Sequence, residues 1–263
     1  MAKIKLWISD IDGTLMNYDG SVTKRMTELI KKINNSDTKL VLATGRMFMG
    51  ANHARKQFRI NTPVVCYQGA VVRTENEILW QSPIKDELVP EIIDYLRRKK
   101  IHTHLYCFDN LYVEDDNKRI MDEYCNGRGT VYEVVNFNDI KYKDVPKILA
   151  IIEDKDLMES VKKELSEKYK GILTIVQSST KYLEITDLHA SKGEALNFLK
   201  KYWNLSDKDV LASGDQDNDV DMLERAYYRV CVGHNSKKLA DIANYHSDSV
   251  NSDTLVDIVE GLI

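Results

Sequence analysis

Two groups of carboxylates dominate the chemistry available to this chain. Asp10-Ile11-Asp12-Gly13-Thr14 sets two acids two residues apart, directly after the short apolar run Ile4 to Ile8. Gly214-Asp215-Gln216-Asp217-Asn218-Asp219 sets three more directly after the run Val210-Leu211-Ala212. If both runs are strands of one parallel sheet, the acids emerge on its carboxyl edge, where open α/β sheets bind their ligands. Carboxylates that converge there cannot all stay ionised without a cation among them, and an all-oxygen donor set selects a hard ion such as magnesium. Magnesium takes one or two protein carboxylates together with waters and substrate phosphate oxygens, so the chemistry indicated is phosphoryl transfer. Asp10 is placed to attack phosphorus and form an aspartyl-phosphate. Asp12, two residues on, is placed to protonate the leaving oxygen and then to activate water.

A doubly negative phosphate also needs donors on the face away from the metal. Thr44-Gly45-Arg46 follows another apolar run and is expected to open a helix, so that the Thr44 hydroxyl and adjacent backbone N–H groups cradle phosphate oxygens. Lys192 begins a further expected helix behind the capping box Ser191-Lys192-Gly193-Glu194 and brings an ammonium to the phosphoryl charge. Taken singly these residues have plainer readings: Asp-x-Asp after a strand is a capped turn, Thr44 a helix N-cap, Lys192 a solvated first-turn lysine, Asp217 part of a loop. It is their order along the chain that gives them weight.

The elements that must position them are short apolar runs alternating with amphipathic stretches. Ile4 to Ile8, Lys39 to Ala43 and Val64 to Tyr67 read as strands, with Met26, Leu29, Ile30 and Ile33 at helical spacing and a helix-like stretch Met47 to Phe58 between them. Such runs joined through helices predict a Rossmann-like parallel sheet covered on both faces. Near residue 84 the rhythm changes. Pro83, Pro90 and more charged segments mark the start of an inserted α+β module, residues 84–185. It is predicted to hold a helix Glu87 to Lys99, a hairpin His102 to Glu114 turning at Asp109-Asn110, a helix near Asn117 to Cys125, a strand Lys147 to Glu153, a helix Leu157 to Tyr169, and the strands Ile172 to Gln177 and Tyr182 to Ile185. After Asp187 the parallel pattern returns, with a helix Lys192 to Tyr202, strands at Val210 to Ala212 and Arg229 to Val232, a helix near Val220 to Ala226 and a last helix carrying Leu255, Ile258, Val259 and Leu262. The fold class is therefore α/β, with a discontinuous core of residues 1–83 and 186–263.

Composition narrows the partners. The chain has 263 residues, 43% hydrophobic and 30% charged, which suits a soluble globular protein with room for two cores. With 37 basic against 41 acidic residues there is no basic excess for nucleic acid or an anionic membrane, so the expected partner is a small phosphorylated metabolite. Cys66, Cys107, Cys125 and Cys231 are too sparse for a disulfide scaffold and are read as reduced. No stretch has the length of a membrane span and none reads as a signal peptide, so a cytoplasmic protein is expected, a monomer or small homo-oligomer.

With these motifs in order, the chain resembles the haloacid dehalogenase superfamily, and within it the Cof-type phosphatases with a large α/β cap (class IIB). Asp10 to Thr14 is similar to the family's D-x-D-G-T motif, Thr44 to its Thr or Ser after a strand, Ser191-Lys192-Gly193 to its lysine motif, and Gly214 to Met222 to G-D-x-x-N-D-x-x-M. The resemblance implies that Asp10 is nucleophile and magnesium ligand, that Asp12 is acid/base and ligates through its backbone carbonyl, and that Asp215 completes the protein ligands, with Asp219 behind them or bridged by water. It implies that Arg46 and Asn218 touch substrate or support the loops, and that the inserted module selects the substrate. Two positions depart from the pattern: Gln68-Gly69 stands where Asn-Gly is usual, and Gly233-His234 where Gly-Asn is usual, with Asn235 one place later.

Competing readings share parts of this site. A phosphomutase would return the phosphoryl group to a sugar, and a phospho-accepting switch would keep its acyl phosphate, which the base at Asp12 argues against. His102 and His104 share one face of a strand and read as structural residues or as lining of a substrate pocket. His234 reads as a surface loop residue.

Overall fold

The computed structural model describes residues 4–125 and 130–263. It divides into two compact units, one of Met1–Trp80 with Ser191–Ile263, the other of Gln81–Ala190.

In the first unit the chain forms β1 (Leu6–Ser9), α1 (Lys24–Asn34), β2 (Lys39–Leu42), α2 (Phe48–Gln57), β3 (Val64–Cys66), β4 (Val71–Arg73) and, all but its last residue, β5 (Ile78–Gln81). The inserted unit holds α3 (Val89–Arg98), β6 (His102–Cys107), β7 (Asn110–Val113), α4 (Lys118–Cys125), β8 (Glu133–Val134), β9 (Lys147–Ile151), α5 (Lys155–Lys168), β10 (Leu173–Gln177) and β11 (Tyr182–Asp187). The first unit resumes with α6 (Lys192–Tyr202), β12 (Val210–Gly214), α7 (Val220–Glu224), β13 (Tyr228–Val232), α8 (Lys237–Ile242), β14 (Tyr245–Ser247) and α9 (Thr254–Glu260).

The first unit is built on a five-stranded parallel sheet in the order β14-β13-β12-β1-β2. β1 lies between β12 and β2 and is buried at all four positions, which is why its sequence is an unbroken apolar run rather than an alternation. One face packs Leu6, Ile8 and Val41 against Leu196, Leu199, Met222 and Leu223 of α6 and α7. α1 buries Met26, Leu29, Ile30 and Ile33, the stripe its spacing predicts, and Thr23 caps it by accepting from the Met26 N–H at 3.2 Å.

Val64–Cys66 does not join the parallel sheet as a full strand. It meets the sheet through the single bridge Ala43 to Val65 and pairs antiparallel with β4, in a three-stranded sheet β3-β4-β5. The cause is local: Tyr67 and Gln68 both adopt left-handed backbone, φ 53° and 60°, and turn the chain back on itself.

The inserted unit is a six-stranded sheet in the order β10-β11-β9-β6-β7-β8, antiparallel but for the β7–β8 pair. Leu105, Ile148, Ala150, Leu183 and Ile185 face the apolar core with Ile92, Ile93 and Leu96 of α3 and Val161 and Leu165 of α5. The alternate residues share the other face, where Tyr106 is paired with Lys147, His104 with Leu149, and Leu149 with Glu184. The hairpin turns at Phe108 and Asp109, both left-handed, one residue earlier than the sequence suggests. The unit is also longer than residues 84–185. β11 runs on to Asp187, paired with Leu173, and Ser82 Oγ donates to Asp187 at 2.7 Å, tying both chain ends into this unit. Among the described residues no helix is long and apolar enough to cross a membrane.

Candidate active site

The parallel pairing of β1 with β12 brings the two acidic motifs together. Ser9 is opposite Ser213, and the Asp10 N–H continues the ladder by donating to the Ser213 carbonyl at 3.0 Å. Beneath them runs a buried relay: Trp7 Nε1 donates to Ser213 Oγ (2.9 Å), Ser213 Oγ to Ser9 Oγ (2.7 Å) and Ser9 Oγ to the Asp10 carbonyl (2.8 Å). Each hydroxyl is spent, so the strand ends have one geometry. One carboxylate oxygen each from Asp10, Asp215 and Asp219 then lie within 4.8 Å of one another.

Lys192 enters this cluster at 1% exposure, its Nζ donating to Asp10 Oδ1 and to Asp219 Oδ1, both at 2.6 Å. Its position is set by the start of α6, where Ser191 caps by accepting from the Glu194 N–H at 3.0 Å and donates in turn to Asp221. Arg225, ion-paired with Asp221, also holds Glu194 at 2.8 Å. Gly69, φ +100°, lets its turn pack on the Ser191–Lys192 backbone; a Cβ there would overlap it.

Three carboxylates against one ammonium leave the cluster short of positive charge. Burial, opposed by Lys192 and reinforced by Asp219 and Asp215, pushes the Asp10 carboxyl up to about 8. Burial and Asp219 likewise raise Asp215, with hydrogen bonds from Tyr18 and Gln216 opposing. Burial works against the Lys192 ammonium, but Asp10 and Asp219 outweigh it and hold its pKa above normal. An all-oxygen set with excess negative charge fits a hard divalent cation, and Asp10 and Asp215 are the side chains with oxygens to offer it.

Asp219 is differently employed. Its Oδ2 accepts the backbone N–H groups of Asp215 (3.0 Å) and Gln216 (3.1 Å), while Oδ1 takes Lys192. It braces the loop and the lysine. The Asp12 carboxylate lies outside the three-carboxylate cluster and forms a two-pronged ion pair with Arg46, Nε donating to Oδ2 at 2.8 Å and Nη2 to Oδ1.

The Thr44-Gly45-Arg46 segment does not open a helix directly. α2 starts at Phe48 behind Met47, because Thr44 Oγ1 accepts from the Arg46 N–H at 3.1 Å, a local turn that competes with helix initiation. Thr44 is buried beside the cluster's sheet, with its N–H on the Val65 carbonyl. Asn218 Nδ2 donates to Gln68 Oε1 at 2.9 Å, so the residue that departs from the family pattern is joined to the last motif. Asp217 is loop structure, held by Ser236 and Lys238, and His234 is exposed. His102 and His104 lie in the inserted unit with rings 5.1 Å apart, His104 edge-on to Tyr124.

Four residues at Asp215 were not singled out by composition or spacing. Thr14 Oγ1 donates to its Oδ1 at 3.2 Å, while Tyr18 Oη (2.9 Å), Gln216 Nε2 (3.1 Å) and Asn235 Nδ2 (3.5 Å) donate to its Oδ2. Thr14 and Gln216 stand inside the two acidic motifs and Asn235 is the asparagine displaced by a single place, whereas Tyr18 carried no signal.

Residues 7–259 match the model of the haloacid dehalogenase-like hydrolases. A Schizosaccharomyces pombe protein named as an uncharacterized hydrolase is 33% identical over 87% of this chain and 80% of its own. The 5-amino-6-(5-phospho-D-ribitylamino)uracil phosphatase YitU of Bacillus subtilis is 22% identical over 89% of this chain and 88% of its own. The crystal structure of a haloacid dehalogenase-like hydrolase from Bacteroides thetaiotaomicron superposes with a TM-score of 0.90 at 23% identity, covering 99% of this chain and 100% of that one. The chain belongs to the haloacid dehalogenase-like hydrolases and is an enzyme of their phosphatase type.

Proposed function

We propose that the protein is a magnesium-dependent phosphatase of small phosphorylated metabolites, sugar phosphates or similar compounds, working through an aspartyl-phosphate on Asp10. The observation that carries this reading is Lys192 held at 2.6 Å between Asp10 and Asp219 with Asp215 in reach, a buried cluster of three acids and one base. Asp10 and Asp215 are the side chains that would hold magnesium, with the Asp12 carbonyl as a third protein ligand; when bound, the ion neutralises the acids and draws charge from the phosphoryl oxygens.

In the reaction an Asp10 carboxylate oxygen bonds to phosphorus and the bond from phosphorus to the ester oxygen breaks. Asp12 gives its proton to that oxygen, which leaves as an alcohol. Asp12 then takes a proton from water, whose oxygen displaces Asp10 and releases phosphate. Since Asp12 is paired with Arg46, it must let go of the guanidinium to serve the leaving group. Lys192 keeps Asp10 oriented and offsets its charge and that of the phosphoryl oxygens, with the Thr44 hydroxyl and the Gly45 and Arg46 backbone as neutral donors. Asn218, through Gln68, supports the loops around them.

The inserted unit, placed in the sequence between the Thr44 and Lys192 motifs, acts as the cap that selects the substrate. The sheet face turned away from its apolar core carries His104, Tyr106, Lys147 and Glu184 around Leu149, polar groups suited to hydroxyl-bearing ligands. The free cysteines suit a reducing cytoplasm.

The test is direct. Purified protein with magnesium hydrolyses an aryl phosphate, a chelator stops it, and Asp10→Asn lowers kcat by about 10⁴-fold or more. Activity indifferent to chelation sinks the metal assignment. A panel of phosphorylated sugars, nucleotides and cofactors, with the phosphorylated ribitylamino-pyrimidine named for the Bacillus subtilis relative, identifies the substrate by free-phosphate release.

A further inference from the structure

The segment after the first acidic motif carries an exposed tyrosine whose hydroxyl is engaged at the acidic cluster. Tyr18 is 70% exposed, yet its Oη donates to Asp215 Oδ2 at 2.9 Å. Gln216 Nε2 lies 3.3 Å from Tyr18 Oη and 3.1 Å from the same Oδ2, closing a triangle of two donors and one carboxylate oxygen.

This arrangement is built from both ends of the unit. The turn carrying Tyr18 is closed by the Gly20 N–H on the Asn17 carbonyl (2.8 Å) and the Asn17 N–H on the Ser21 carbonyl (2.9 Å). Asn17 Nδ2 anchors it to Asn251 Oδ1 at 2.7 Å, far along the chain. On the inner side Gly13, φ +85°, provides the space: a Cβ there would overlap both Asp215 Oδ2 and Tyr18 Oη. An exposed tyrosine ordinarily gains nothing from such positioning, since water satisfies its hydroxyl equally well.

A carboxylate oxygen accepts about two hydrogen bonds. Oδ2 of Asp215 is filled by Tyr18 and Gln216, with Asn235 more distant at 3.5 Å, whereas among the described residues Oδ1 carries Thr14 and keeps a lone pair. We propose that Tyr18 is a positioning residue which, by occupying Oδ2, turns Oδ1 of Asp215 toward the divalent cation. The inference rests on the magnesium reading above and assigns a role to a residue outside the four motifs. Tyr18 acts through Asp215 and has no part in bond making.

Outer partners of metal ligands are typically worth about 10–100-fold in affinity, and with Gln216 and Asn235 still in place the lower end applies. Calorimetric titration of magnesium into metal-free Tyr18→Phe is therefore expected to show Kd raised about 10-fold over wild type. The magnesium concentration giving half-maximal aryl phosphate hydrolysis rises in parallel, and activity lost at limiting magnesium returns at excess. Gln216→Leu, which removes the other side of the triangle, shifts Kd in the same direction by less. A Tyr18→Phe Kd within twofold of wild type overturns the inference, as does a rise in substrate KM at saturating magnesium with Kd unmoved, which would place Tyr18 on the substrate. Wild-type protein that binds no divalent cation overturns the magnesium reading itself and this inference with it, so the two failures are told apart by the wild-type titration.

Discussion

Both units bury charged side chains, but they complete them differently. In the first unit Lys192 has two carboxylates at 2.6 Å, and Asp219 spends both its oxygens on backbone N–H groups and the lysine. In the inserted unit Lys147, 3% exposed, stands 3.5 Å from Glu184 Oε2, with its Nζ 5.0 Å from the centre of the Tyr106 ring. Glu184 Oε2 and both ring nitrogens of His102 are buried without a hydrogen-bond partner among the described residues. A fully connected network in a low-dielectric interior fixes one geometry, which is what phosphoryl chemistry requires of its donors. An ion pair at 3.5 Å, longer than a hydrogen bond, fixes less. The contrast separates a lysine held by two carboxylates at 2.6 Å from one whose carboxylate stands 3.5 Å away.

The sharpest way to break that contrast is to remove the central base. Lys192→Met leaves Asp10 and Asp219 buried without their cation, a loss expected to cost about 3–5 kcal/mol in urea unfolding of the metal-free protein. On the proposed mechanism it also removes the ammonium that faces the phosphoryl group, so kcat for an aryl phosphate should fall about 10²–10³-fold. A cost under about 1 kcal/mol would mean the network is no more committed than the one in the inserted unit.

The same operation in the inserted unit should do less. Lys147→Met is expected to cost about 1–3 kcal/mol, since the pair is looser and the long stem still packs on Tyr106. Replacing Glu184 as well, in Lys147→Met/Glu184→Leu, should recover most of this, and the double-mutant cycle should give a coupling below about 1.5 kcal/mol. A coupling as large as that between Lys192 and Asp219 would erase the difference between the units.

The contrast also governs what could be read in advance. Asp10 and Asp215 were legible because each follows an apolar run, and parallel pairing of β1 with β12 turns two distant motifs into neighbours. Lys192 was legible through its cap, since Ser191 and Glu194 fix where α6 begins. Tyr18 was not: its role depends on a turn tied to Asn251, a contact that no local spacing encodes. Val64–Cys66 misled for the opposite reason, an apolar run that fits a parallel strand until the left-handed pair Tyr67 and Gln68 reverses the chain. Thr44 kept its place by the sheet while its hydroxyl formed a turn in place of a helix cap. In the inserted unit the strands were visible by alternation, but which polar side chains meet across them depends on register, as Tyr106 with Lys147 shows. β11 runs past Ile185 to Asp187 because pairing with Leu173, rather than composition, sets where it ends.

A pH titration of stability reaches the electrostatic root of the comparison. In the metal-free protein the folded state holds the Asp10 carboxyl near 8, where the ordinary value is 3.8. Below about pH 4 the group is protonated whether the chain is folded or not, and its contribution is intact. Between about pH 4 and 8 the unfolded chain releases the proton while the folded state retains it, so stability falls as pH rises, and the loss is complete above 8. Asp10→Asn removes this slope. In chelator at pH 8 the variant should melt above wild type, with the two curves converging as the pH falls toward the ordinary carboxylate range. Some slope persists in the variant, because Asp215 is raised in the same direction by burial and Asp219. Excess magnesium should flatten the wild-type curve by making the ionised carboxylate the favoured form. Parallel melting curves for the two proteins in chelator would show that Lys192 alone keeps Asp10 ionised, and the difference between the two units would then lie in hydrogen-bond geometry rather than in uncompensated charge.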